Sequence, residues 1–421
     1  VTVRAGRPAT ALDAITDLLD LRPAPAGATS STAPRLGVVA GRSGPRFLVP
    51  VSHPAAASAA CLAYLGLRDA RTRLQRGAVG WALRARAGRF VAKEELVADA
   101  GPGSLLHRLE ELLHDDEHEP GLAVGIGLGH LDEVWKPTLQ VFRSDGTPAA
   151  FVKVGLGPVG DRLVGTEAET LAAWGRHPDP RLVVPELIAD ETWNGLRLAV
   201  VAPLPTDVRR LPPGAPSAWA VRELDGEAAT GPLGDAPWWR ARRAAEADEP
   251  VAGGDAIAAL LDRIEERHGA VDEARWARWH GDWVPWNLAR CHRGLVAWDW
   301  EYSEPGAPVG LDEVHGAYQQ ARVVEARPIA EALAVARGAA VELVRTGTSP
   351  ASARSLRAQA GTEHAPSPFP SAAWLADLHV AMLVTRSTEL ERLAGSPPHD
   401  RAELLAAAEQ AIATTGRGEV P

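Results

Sequence analysis

The apolar positions change period along the chain. Between residues 120 and 205 they fall in short runs, GLAVGIGLG, PTLQVF, AAFVKVG, PELIADETW and LRLAVVAPL, broken by turn dipeptides at Asp145-Gly146 and Asn194-Gly195. Short apolar runs bounded by Asp-Gly or Asn-Gly predict strands joined as hairpins. Among them TEAETLAAWGRH has helical spacing, with Leu171 and Trp174 on one side. Five strands and one inserted helix predict a small antiparallel sheet plus helix. From about residue 238 onward the period is mainly helical, through AIAALLDRIEERH, RPIAEALAVARGAAVELVR, SAAWLADLHVAMLVTRSTELERLA and DRAELLAAAEQAIAT. The Pro- and Gly-rich stretch 204–237 predicts an irregular surface loop.

Residues 1–118 read differently again. A short helix over about 9–21 precedes the linker RPAPAGATSSTAP, and RLGVVAG with PRFLVPV predicts a hairpin turning at Gly41 to Gly44. Two further helical stretches follow, PAAASAACLAYLGL and GSLLHRLEELLHD, and no catalytic pattern is visible among them. Three parts are therefore expected: an N-terminal α/β extension or cap over 1–118, a sheet-plus-helix lobe over 119–205, and a mainly helical lobe over 206–421.

Composition narrows the function. The net charge of −10 disfavours a general nucleic-acid binder. No apolar run is long enough for a transmembrane helix. The N-terminus lacks the apolar centre of a secretory signal, and only Cys61 and Cys291 are present, so a disulfide framework is not expected and a reducing cytoplasm is. The basic residues are almost all arginine; lysine occurs only at Lys93, Lys136 and Lys153. Arginine can replace lysine at most solvated sites but not where a compact ammonium is needed. Lys153, inside the apolar run AAFVKVG, is thus a candidate for specific chemistry, and Glu167 or Glu169 of the following helix can hold it extended.

The densest chemistry lies in HGDWVPWNLARCHRGLVAWDWE, residues 280–301. Asp282 is followed five positions later by Asn287, and an apolar run then ends on Asp299. A carboxylate beside an acceptor hydroxyl can take its proton, while an amide oxygen and a second carboxylate suit a hard divalent ion that bridges phosphates. Singly, each residue reads equally as a turn cap. His280, directly before Gly281-Asp282, is expected to fix the loop rather than act as the base. Trp283 and Trp286 suit either a substrate wall or core packing. The glycines Gly125, Gly127 and Gly129 form GxGxG, which lets a backbone approach phosphates or simply turns a chain. HDDEHE, 114–119, reads as a solvated linker in preference to a metal cluster.

HGDWVPWN, then VAWDWEYSEPGAP, then Asp312 resembles the aminoglycoside phosphotransferase and choline kinase-like superfamily, and FVKVG with the TEAETL helix looks like that family's nucleotide lysine and partner glutamate. The resemblance covers roughly 120–320. It implies an α+β, two-lobed protein kinase-like fold with ATP (or GTP) and Mg²⁺ bound between the lobes. On the same footing, Asp282 would be the catalytic base, Asn287 and Asp299 metal ligands, Lys153 a phosphate contact paired with Glu167, and Asp312 a structural brace. Backbone from Val201 to Leu204 would meet the nucleobase. Members of the family begin close to the Gly-rich strand, so the first 118 residues are an addition.

The expected function is ATP-dependent O-phosphorylation of a small hydroxylated molecule: an aminoglycoside-like antibiotic, a sugar or amino sugar, or an amino alcohol. Glu301, Glu304 and Glu313 favour a cationic acceptor. Neither nucleic acid nor membrane is an expected partner. The alternative is a non-catalytic kinase-like module, opposed by the presence of every element of the set. A protein kinase would need an activation segment, and EYSEPGAPVG after Asp299 is short.

Overall fold

A computed structural model describes residues 9–24, 33–41, 44–114, 121–129, 131–176, 178, 182–211, 229–248, 251, 253–269, 274–346 and 371–415. These form two compact units, one of residues 1–175 with 185–209 and the other of 176–184 with 210–421.

The first unit is built on one antiparallel sheet. Its strands are β1 (Arg22–Pro23), β2 (Arg35–Gly41), β3 (Gly44–Pro50), β4 (Ala92–Val97), β5 (Leu122–Gly127), β6 (Thr138–Arg143), β7 (Pro148–Val154), β9 (Leu187–Trp193) and β10 (Leu196–Val201). Their order is β1-β4-β2-β3-β5-β6-β7-β10-β9. The last five are the expected small sheet, and the hairpins turn where the Asp-Gly and Asn-Gly pairs place them, with Asn194 and Gly195 both at positive φ. The expected division at 118 falls inside this sheet, because β3 pairs with β5 through Phe47 and Leu48 opposite Gly127 and Ile126. The N-terminal residues thus extend the lobe's sheet instead of standing apart from it.

Helices cover both faces. On one, α1 (Ala11–Leu19) and α5 (Leu105–Leu112) bury Ile15, Leu18, Leu105 and Leu109 with Leu36, Leu48, Val124 and Leu139. On the other, α2 (Pro54–Leu62) sets Ala56, Ala57 and Ala60 against Val49, Ala123 and Phe142. Alanines along α2 allow a close helix–sheet approach, and Gly125 continues it: a Cβ there would lie 2.8 Å from that of Ala60. α3 (Ala70–Arg84) packs on α2 and is followed by the short helix α4 (Gly88–Val91). α6 (Gly157–Arg176) follows β7 and begins nine residues before the expected TEAETL segment (157 against 166). Gly157 at φ 69 admits the sharp entry from the strand.

The second unit is mainly helical. α7 (Pro237–Asp248), α8 (Gly254–His268), α9 (Leu311–Gln319), α10 (Ile329–Thr346), α11 (Ala372–Ala394) and α12 (Arg401–Thr415) enclose a core that includes Trp238, Trp239, Leu261, Trp276, Leu378 and Ile412. Two small sheets carry the loops of interest. β12 (Ala229–Thr230) and β16 (Glu304–Pro308) flank β13 (Arg275–Trp279), and β14 (Leu288–Cys291) pairs with β15 (Gly294–Ala297), which meets β8 (Leu182–Val183) in parallel. Half of the 204–237 stretch, expected to be irregular, lies outside the described residues (212–228), and its described ends hold the short strands β11 (Arg209–Arg210) and β12 and a 3₁₀ turn at Leu233–Asp235. No helix among the described residues is long and apolar enough to cross a membrane.

Candidate functional site

Each unit gathers part of the expected set. In the first, Lys153 sits on β7 between β6 and β10, opposite Thr138 and Ala199, and is 7% exposed. Its ammonium donates to Glu167 Oε1 at 2.6 Å, and Glu167, on α6, is 2% exposed. A buried pair of this kind is held by mutual compensation, because either charge alone is costly to bury. Glu169 faces outward and pairs instead with Arg197 at 3.4 Å, so Glu167 is the partner.

The remaining candidates of this unit divide. Val201 ends β10 after a bulge at Val200/Val201 and is buried, and Leu204 lies three residues on. Gly127 is exposed at the end of β5. Gly125 is buried, and its lack of a side chain admits α2, which gives it a packing reason distinct from an approach to phosphates.

In the second unit, β13 delivers the chain into His280-Gly281-Asp282. The Asp312 carboxylate, at the start of α9, accepts the His280 N–H at 2.8 Å and the Gly281 N–H at 3.0 Å. Two backbone donors on one buried carboxylate fix the direction of the loop. Gly281 is at φ 83, and a Cβ on it would lie 2.2 Å from the Tyr302 carbonyl oxygen. His280 is fully buried; its Nε2 lies 3.0 Å from the Trp298 carbonyl and its Nδ1 accepts the Asp282 N–H at 3.2 Å. That assigns a neutral ring with the proton on Nε2 and leaves neither nitrogen for proton transfer. The ring also contacts Trp283 and Trp300. Trp283 is core, whereas Trp286 is 41% exposed.

Asp282 is 20% exposed at its side chain. Its Oδ2 accepts the Asn287 amide N–H at 2.8 Å, while its Oδ1 is buried without a hydrogen bond. The Asn287 nitrogen being turned to Asp282, its carbonyl oxygen is the atom left to ligate. Asn287 is tied onward, since its backbone carbonyl accepts the Trp298 N–H at 3.2 Å. The next residue, Asp299, sits just beyond β15 at φ 62, a left-handed conformation costly for any residue but glycine and least so for Asp and Asn.

Burial pushes the Asp282 carboxyl up to about 7; the negative charges of Glu301 and Asp299 add to this, while Arg386 and the Asn287 hydrogen bond oppose it. The loop therefore presents hard oxygen atoms in an excess of negative charge, which suits a divalent cation or an amine. His315, fully buried on α9, approaches Asp282 Oδ1 to 4.0 Å, and its other nitrogen lies 3.2 Å from His379 on α11. Burial holds both imidazoles below the usual range, so they stay neutral near pH 7.

Three neighbours of this loop carry no signal in the sequence motif. Arg386 of α11 donates to the Gly281 carbonyl at 3.2 Å and lies over the Tyr302 ring, 4.1 Å from its centre. It is 105 residues from Gly281, as His379 is 64 from His315, and only packing joins them. Glu304 pairs with Arg242 at 3.0 Å, so it is not a free acid for a substrate. Of HDDEHE, all but His114 lies outside the described residues.

No family model matches the sequence, and no curated protein matches it. Comparison with solved structures returns small-molecule kinases. Aminoglycoside phosphotransferase APH(4)-Ia is similar at 14% identity and a TM-score of 0.45, over 75% of this chain and 99% of that one. The amicoumacin kinase hAmiN, solved with AMP-PNP, Ca²⁺ and Ami, is similar at 10% identity and a TM-score of 0.41, over 74% and 93%. A glucosamine kinase is similar at 16% identity and a TM-score of 0.30, over 73% and 97%. At these values neither reaction nor substrate passes from those proteins to this chain, and the functional reading rests on the residues.

Proposed function

We propose that the protein is an ATP-dependent O-phosphotransferase that phosphorylates a hydroxyl of a small molecule, with Mg²⁺ as the metal. The observation that carries this is the loop at 282–299: a base-competent carboxylate locked to an amide, with a second carboxylate held in a strained backbone at a strand end. Structural turn caps have no need of a buried carboxylate oxygen left without a donor.

The roles follow from the chemistry. Bound Mg²⁺–ATP would supply the electrophilic γ-phosphoryl group. Asp282 orients the acceptor hydroxyl and takes its proton as the new O–P bond forms and the bond to the ADP oxygen breaks. A carboxyl raised to about 7 is a stronger base than an ordinary aspartate and still ionises near neutral pH. Asn287 and Asp299 would hold the metal through oxygen. Lys153 holds phosphate oxygens, and Glu167 keeps its ammonium in place. Backbone from Val201 to Leu204 meets the nucleobase.

The negative charge of Asp299 and Glu301 around Asp282 supports an acceptor that bears an amine, such as an aminoglycoside, an amino sugar or an amino alcohol. Thermal stabilisation by ATP tests the nucleotide half of the reading. ATP should raise the melting temperature in the presence of Mg²⁺ in the wild type and lose that Mg²⁺ dependence in Asp299→Ala. Stabilisation without turnover on any hydroxylated acceptor would favour a nucleotide-binding module without catalysis.

A further inference from the structure

The N-terminal extension touches the chain at the segment assigned to the nucleobase. After α2 the backbone turns through Tyr64, at φ 58, into a short 3₁₀ turn, Leu65–Leu67. This left-handed conformation is rare for an aromatic residue and is kept only where the surroundings over-determine it. Here they do. The Tyr64 hydroxyl donates to the Leu204 carbonyl at 3.2 Å, across 140 residues of sequence. Its ring lies 5.7 Å from that of Phe151, whose strand partner is Val201. Two residues on, a Cβ at Gly66 would lie 2.2 Å from the Val208 carbonyl oxygen, so only glycine admits the 204–208 segment this close. Burial raises the Tyr64 hydroxyl to about 12, so it is protonated and a donor at all ordinary pH.

The contact decides what 202–205 can offer a base. The Ala202 N–H is already given to the Glu186 carbonyl at 2.8 Å. Pro203 and Pro205 have no N–H. The Leu204 N–H is therefore the backbone donor that remains in this stretch, and the Ala202 and Pro203 carbonyls are acceptors beside it. One donor beside acceptors complements the ring nitrogen and exocyclic amine of adenine. The carbonyl and protonated ring nitrogen of guanine meet the same donor and acceptors when the base is shifted by one position. Tyr64 holds the carbonyl of the Leu204–Pro205 linkage, the peptide that follows this N–H, and so limits how the Leu204 backbone can turn.

We propose that Tyr64 of the N-terminal extension is a positioning residue for the nucleobase, fixing the 204 backbone against which the purine edge pairs. This rests on the reading of 201–204 as the base-binding segment, and the test separates the two. Tyr64→Phe removes the hydroxyl and keeps the ring on Phe151. Affinities of wild type and variant are measured for ATP, GTP and inorganic tripolyphosphate by calorimetry, alongside melting temperature. The expected result is a loss of about three- to tenfold in ATP affinity, the size of one hydrogen bond. A loss of similar size is expected for GTP, tripolyphosphate affinity should be unchanged, and KM for ATP should rise with kcat held. Unchanged ATP affinity, or an equal loss for ATP and tripolyphosphate, would overturn the positioning role. Absence of ATP binding by the wild type would instead overturn the nucleotide reading beneath it.

Discussion

The amide nitrogen of Asn287 lies 2.8 Å from Oδ2 of Asp282, so the residue assigned to the metal also orients the residue assigned to the proton. The two roles are mechanically coupled: rotating either side chain breaks the other's position. Asp282→Asn keeps the shape of the loop and removes the base. Its ATP affinity should stay within about twofold of wild type while kcat falls by about 10²–10⁴, the usual share of a general base. Single-turnover kinetics and calorimetry check the split, and full activity in that variant would refute the base assignment.

Asp282 also makes stability depend on pH. Its folded carboxyl sits at about 7, against about 3.9 for an unfolded aspartate. Between those values the unfolded chain releases the proton first, so rising pH destabilises the fold until about pH 7, above which the effect is constant. Asp282→Asn lacks this term. The melting-temperature gap between variant and wild type should therefore open in the variant's favour from about pH 4 to pH 7 and level off. A gap of equal size at pH 4.5 and pH 8 would contradict the raised carboxyl.

Lys153 and Glu167 should behave as one unit. Lys153→Met leaves a glutamate of 2% exposure without its cation, which costs about 3–5 kcal/mol when one partner of a buried pair is removed. Lys153→Met/Glu167→Gln removes both charges and should recover a large part of that loss without restoring ATP binding. Chemical denaturation of the two variants measures it; equal stability of single and double variants would show that the pair is not coupled.

Asp299 gives a comparison of backbone against chemistry. Its φ of 62 suits glycine best, so Asp299→Gly should be more stable than Asp299→Ala by about 1–2 kcal/mol. Both should lose Mg²⁺-dependent stabilisation by ATP. Retention of that dependence in either variant would remove Asp299 from the metal set.

Much of this was legible in the sequence because local chemistry dictated it. The Asp145-Gly146 and Asn194-Gly195 turns set the hairpins, and the scarcity of lysine singled out Lys153 within a strand. HGDWVPWN showed Asp282 and Asn287 because both sit in one loop. What was hidden depends on packing between distant segments. The first turns of α6 carry no helical period of their own, since GPVGDRLVG holds three glycines and a proline. Glu167 and Glu169 differ by two positions, and only the buried face of α6 separates them. Gly125 could not be told from a phosphate-facing glycine until Ala60 appeared against it. The joining of residues 1–118 to the sheet depends on the β3–β5 pairing, which no local pattern specifies.

The central claim is transfer of a phosphoryl group to a small hydroxylated molecule with Asp282 as base. It is tested most directly by incubating the protein with ATP, Mg²⁺ and a panel of aminoglycosides, amino sugars, sugars and amino alcohols, and reading each compound by mass spectrometry. The account predicts a phosphoryl mass gain on an amine-bearing acceptor that requires Mg²⁺ and disappears with Asp282→Asn. ATP binding with no acceptor modified across the panel, or a mass gain that survives Asp282→Asn, would contradict it.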